Sequence, residues 1–175
     1  MKSRCAPSRS AMLEAYELFA FISPDLALRI LGDTATDNKE VYEATLGAVA
    51  KVHLARPVFL KRQPKASRHQ LMLKSLTRPG FNEASSGLIR GWLLKNQVIM
   101  VKQFLDGLGI EHEEGIVEEL PDSVNGDKLN AAIDTLLTSH DKEIVVLYLH
   151  AFHTMNNAGW KNLEELLAND ERLQI

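Results

Sequence analysis

Cysteine is nearly absent: Cys5 is the only one in 175 residues. A lone thiol closes no intramolecular disulfide and builds no cysteine-based metal centre, and it suits a reducing compartment. Long apolar runs are missing as well. The longest strictly apolar stretches, such as IVVLYL at 144–149, fall far short of the ~20 residues a membrane-spanning helix needs. Residues 1–9, MKSRCAPSR, are basic like the start of an export signal, but Glu14 and Glu17 interrupt the apolar core that should follow. The expectation is a cytoplasmic protein with no membrane partner. Also missing are the glycine-rich phosphate loop, the GxGxxG fingerprint after a strand, the GxSxG elbow and the HEXXH zinc motif. No catalytic residue is assigned from the sequence, and no cofactor is expected.

One absence is local and more informative. Between residues 51 and 78 there is no acidic residue at all, while Lys51, Arg56, Lys61, Arg62, Lys65, Arg68, Lys74 and Arg78 all fall there. The charge is segregated along the whole chain. Residues 1–50 carry 5 Lys/Arg and 7 Asp/Glu, residues 51–102 carry 11 and 1, and residues 103–175 carry 4 and 15. The net charge of −3 therefore conceals a basic middle and an acidic C-terminal part.

The rest of the pattern is helical. No stretch sustains the two-residue alternation of a half-buried strand, so the fold class is all-α. A flexible N-terminal segment at 1–9 is expected to precede a single domain over 10–175, which is long enough to bury a sizeable core. Seven or eight helices are expected to form an irregular bundle around one long helix at 83–108. In that helix Leu94, Val98, Val101, Leu105 and Leu108 make one stripe and Leu88, Trp92 and Ile99 a second. A helix apolar nearly all round is enclosed by its neighbours.

Local signals place the other elements. Ser10 is expected to cap a first helix to about Ile22. Ser23-Pro24-Asp25 starts a second, with Gly32 as its stop. Asp37 and Glu40 resemble a capping box, and that helix ends before Arg56-Pro57. A short VFLKR piece follows, and Ser67 is expected to cap a helix over 68–76. After the acidic connection 110–126, with one helical turn expected at 116–120, helices follow at 127–138, at 142–155 and from Trp160.

Three sets of residues are candidates for function. The eight basic residues of 51–78 form the footprint that phosphate neutralisation requires. Yet no zinc finger or RNP-like motif accompanies them, and Phe59 and Phe81 alone do not make a base-stacking surface. The simpler expectation is that this segment lies against the acidic C-terminal part, or against that part of a second subunit. His150 and His153 stand three residues apart on a polar wedge with Glu143 and Thr154, and His112 sits among Glu111, Glu113 and Glu114. Imidazole and carboxylate together suit zinc or iron, but the Glu-x-x-His pairs of di-iron bundles are missing. Asn96 and Gln103 lie amid apolar neighbours. Either they line a pocket or they satisfy polar groups across a helix interface.

The reading that follows is a small cytoplasmic helical protein working through protein–protein interaction, self-association included. Nucleic-acid binding through 51–78 is the first alternative. A metal-dependent enzyme using His150 and His153 is the second.

Overall fold

The computed structural model describes residues 12–175, so Cys5, Ser10 and the expected flexible segment lie outside the described residues. All-α is correct. Ten α-helices are present among the described residues: α1 Ala15–Phe21, α2 Pro24–Asp37, α3 Lys39–Val52, α4 Pro57–Arg62, α5 Lys65–Leu76, α6 Asn82–Asn96, α7 Val98–Leu108, α8 Gly126–Ser139, α9 Lys142–Asn156 and α10 Lys161–Asn169. The count exceeds seven or eight because the central stretch is two helices and short pieces count separately. Two short 3-10 turns, Pro79–Phe81 and Glu171–Leu173, complete the set.

The long helix at 83–108 is broken at Gln97, whose φ of −122° and ψ of 23° end α6 and begin α7. No proline or glycine stands there. The cause lies in the pattern itself. Leu88, Ile89, Trp92 and Leu93 are buried on α6, and Met100, Val101, Phe104, Leu105 and Leu108 on α7. On one straight helix these two sets would lie roughly a third of a turn out of phase. Bending at Gln97 lets both face apolar neighbours. The break leaves Ile99, assigned to an inner stripe, 75% exposed. The central role belongs to α6 alone, which packs against α1, α2, α3, α5, α7 and α9. α7 packs against α8, and α10 against α9.

Side-chain capping explains several boundaries. The Ser23 hydroxyl accepts from Leu26 N–H at the start of α2, as expected. Gly32 does not stop that helix. Ile30, Leu31 and Thr34 are buried on either side of it, and their packing outweighs the ~1 kcal/mol that an interior glycine costs. Asn38, one residue past Asp37, ends α2 and caps α3 through Val41 N–H. α5 starts at Lys65 after Pro64, which puts Ser67 inside the first turn and not at the cap. Asn125 accepts from Asp127 and Lys128 N–H and Asp141 from Glu143 and Ile144 N–H, starting α8 and α9. No helical turn forms at 116–120. Just before it, at 113–116, the chain makes a tight turn in which Glu113 and Ile116 exchange two backbone hydrogen bonds of 2.9 Å.

Glu143 pins the first turn of α9 to the turn between α1 and α2. Its carboxylate accepts from Ser23 N–H at 2.6 Å and from the Ser23 hydroxyl at 3.0 Å. Hydrogen bonds to a charged acceptor each contribute about 1.5–3 kcal/mol. The carboxylate is only half-buried, so water takes up the freed Ser23 donors, and Glu143→Ala is expected to lower unfolding free energy by about 2 kcal/mol, measured by urea titration.

Candidate functional site

The basic segment folds into the end of α3, a connecting turn, α4 and α5. Seven of its eight cations are exposed: Lys51, Arg56, Lys61, Arg62, Lys65, Lys74 and Arg78. The expectation that this segment lies against the acidic C-terminal part of its own chain is not met. No ion pair among the described residues joins 51–78 to 103–175; Lys61 pairs instead with Glu43 on α3. The reason is connectivity, since α4 and α5 pack on the N-terminal helices.

Arg68 is the exception among the eight, because it is used inside the fold. Its Nε donates to Tyr42 Oη at 2.9 Å and its Nη1 to Lys61 O at 3.0 Å. Tyr42 Oη is also 2.9 Å from His69 Nε2. The phenol accepts from Arg68, and in the neutral ring that burial favours His69 Nε2 can accept the phenol's own proton. Burial, with the positive charges of Arg68 and Lys65, lowers the His69 pKa from 6.5 to about 4. This trio ties α3, α4 and α5 together.

Sequence reasoning missed the apolar component of the same surface. Val52, Leu54, Val58 and Phe59 are all exposed large hydrophobic residues. Leu54 is 96% exposed with φ at +52°. It occupies the position after the α3 cap where a glycine is usual, since Ala55 N–H bonds Ala50 O and Leu54 N–H bonds Lys51 O. A leucine in left-handed backbone costs about 1–2 kcal/mol, and here it buries nothing in return. The Arg62 guanidinium lies 5.9 Å from the centre of the half-exposed Phe59 ring. The signal was legible as Val-His-Leu running past a helix end without the expected glycine.

An acidic surface lies elsewhere on the molecule. Glu111, Glu113, Glu114, Glu118, Glu119 and Asp122 are all exposed in the α7–α8 connection, with Ile116 exposed among them. His112 is fully engaged there. One nitrogen, Nε2, lies 2.9 Å from Asp106 Oδ1, and the other, Nδ1, accepts from Gly115 N–H at 3.2 Å. Neither is left for a metal ion.

His150 and His153 do not form a polar wedge. The C-terminal segment folds back over α9, leaving them 5% and 1% exposed. His150 Nε2 donates to Leu173 O at 2.9 Å, and His153 Nε2 lies 3.7 Å from a Glu164 carboxylate oxygen. Burial lowers the pKa of both, opposed by the Leu173 carbonyl at His150 and by Glu164 at His153. Among the described residues no three His, Cys, Asp or Glu side chains come together to hold a metal ion.

Asn96 and Gln103 satisfy partners across helix interfaces. Asn96 Nδ2 donates to Asp37 Oδ2 at 2.7 Å, and Gln103 Oε1 accepts from His140 Nε2 at 2.7 Å. No helix among the described residues is long and apolar enough to cross a membrane. No protein-family model matches the chain, and comparison with curated proteins and with solved structures returns no match.

Proposed function

We propose that this protein acts through protein–protein interaction, and that its docking face is the α3–α4 turn with α4. The observation that carries the reading is Leu54. A fully exposed leucine held in strained backbone lowers stability and contributes no packing. Such strain is characteristic of sites kept for another purpose. Close to it in the chain, Val52, Val58 and Phe59 are exposed apolar side chains interleaved with the exposed cations Lys51, Arg56, Lys61, Arg62 and Lys65. Protein interfaces combine apolar and charged side chains in this way.

The partner is acidic and partly apolar, and a second copy of the chain offers such a surface at 111–122 with Ile116. Charges across that contact orient the two copies and speed their encounter. The single cysteine accords with a cytoplasmic setting. Nucleic-acid binding remains the second reading, favoured by seven exposed cations but opposed by the exposed apolar side chains, which phosphate neutralisation does not use.

Light scattering on the eluting protein across a salt series tests this. At tens of micromolar and low salt, the mass is expected to exceed the 19.6 kDa of one chain and to fall toward it as salt screens the cations. Leu54→Gly is expected to weaken association at least fivefold. The same change should leave unfolding free energy unchanged or raise it by up to about 1 kcal/mol, since the relieved strain exceeds glycine's added unfolded freedom. A protein that is monomeric at every salt sinks self-association. Steeply salt-dependent binding of mixed oligonucleotides by that monomer would put the second reading in its place.

A further inference from the structure

A cavity of about 60 Å³ lies between α6, α7, α9 and the 113–117 turn. Its walls are mostly apolar, with Leu94, Val101, Phe152, Met155 and Ile116 among them. Three polar side chains depart from that character; one of them, Asn156, is exposed and already donates from its Nδ2 to Phe152 O. Tyr148 is 4% exposed, and its hydroxyl is buried with no hydrogen-bond partner. Arg90 also lines the cavity but is exposed, so it stands at the rim. No carboxylate among the described residues pairs with it.

The tyrosine is fixed in place. Its ring meets Phe104 edge-on at 5.4 Å and Phe152 at 6.0 Å. Burial raises its pKa, so the phenol keeps its proton and acts as a donor at any physiological pH. A buried hydroxyl without a partner costs about 1–3 kcal/mol. The cover is equally defined. Gly115 sits at φ +85°, and a Cβ on it would come within 2.9 Å of Val101 Cγ1. The turn therefore closes against α7 through a backbone that only glycine fits.

We propose that this cavity binds a short organic acid that carries a second, uncharged acceptor on its apolar body. The carboxylate meets Arg90 at the rim, the body lies between Leu94, Val101, Phe152 and Met155, and the acceptor accepts a hydrogen bond from the Tyr148 hydroxyl. Size sets the class. A water needs about 10–15 Å³ on this measure, so the space holds roughly four or five non-hydrogen atoms beyond the carboxylate. A four-carbon extension with one carbonyl oxygen has five. Ordinary ligand sites are several times larger, which excludes nucleotides and long acyl chains.

The test compares 4-oxopentanoate with pentanoate, which differ by that one acceptor, by protein-observed NMR titration. 4-Oxopentanoate is expected to bind in the millimolar range, at least fivefold tighter than pentanoate, shifting amides of α6, α9 and the 113–117 turn. Tyr148→Phe is expected to abolish the preference while leaving thermal stability unchanged or higher, since it removes an unsatisfied hydroxyl. Arg90→Gln should weaken both acids. Failure of 4-oxopentanoate to bind at tens of millimolar would overturn the proposal and leave a solvent-filled packing defect. So would a preference for the oxo acid that survives Tyr148→Phe. Neither result bears on the α3–α4 docking face, whose readout is mass.

Discussion

Trp92→Ala is expected to lower unfolding free energy by about 3–5 kcal/mol, the largest effect of any single substitution considered. Trp92 is fully buried on α6, the helix that touches six others. Its indole N–H donates to Asp33 Oδ2 at 2.9 Å, and the Arg29 guanidinium lies 5.9 Å from its ring centre. Arg29 and Asp33 are one turn apart on α2 and 3.6 Å from each other. The ring thus fills the α2–α6 interface and satisfies a carboxylate at its edge. Truncation opens a cavity that rigid helices on several sides cannot close, and it leaves Asp33 to water and Arg29. Trp92→Phe should keep most of the packing and cost about 1–2 kcal/mol, the hydrogen bond and part of the ring. Urea unfolding followed by the fluorescence of Trp160 measures both. A loss below about 1 kcal/mol for the alanine variant would mean that α6 is not the packing centre.

Much of this fold is written locally and some of it is not. Ser23-Pro24-Asp25, Arg56-Pro57 and Asn125-Gly126 mark boundaries because caps and prolines act on neighbouring backbone groups. The break at Gln97 has no such marker. It comes from two apolar faces that suit different neighbours, and only the packed structure sets their phase. Gly32 failed as a stop for the same reason, since the burial of Ile30, Leu31 and Thr34 decides the matter. The candidate sites divide in the same way. The run of cations was plain, but its exposure was not, because nothing in the sequence says which helices cover α4. Arg68 looked like its neighbours until Tyr42, twenty-six residues away, turned out to be its partner. His150 and His153 were misjudged because the segment that buries them, 161–175, is brought back over α9 by tertiary folding. Tyr148 was counted simply as part of an apolar run, and its unpartnered hydroxyl is a property of three dimensions.

The same buried histidines set how the protein responds to acid. Stability is expected to fall as pH is lowered from 6.5 to about 4, by roughly 3 kcal/mol from His69 alone. Its folded pKa lies below its ordinary value, so over this range the unfolded chain binds the extra proton and the folded chain does not. The contribution is fully present above pH 6.5 and is lost progressively toward pH 4. Protonation would also reverse the polarity of the Tyr42 hydrogen bond. Tyr42 Oη, already accepting from Arg68, would face a second donor, with two more positive charges beside the new one. His150 and His153 act in the same direction, because burial lowers both. Carboxylates respond lower on the scale. Asp170, which Arg172 holds below its ordinary 3.8, loses its contribution only as pH falls through that region. Urea midpoints at pH 7.5, 6.5, 5.5, 4.5, 3.5 and 2.5 separate the two windows. His69→Gln keeps an acceptor for Tyr42 without a titrating ring, so it should reduce the slope of the upper window to what His150 and His153 contribute and leave the lower window unchanged. A wild-type midpoint that stays constant from pH 6.5 to 4.5 would mean that His69 protonates within the fold at no cost, and that the Arg68–Tyr42–His69 arrangement is not what joins α3, α4 and α5.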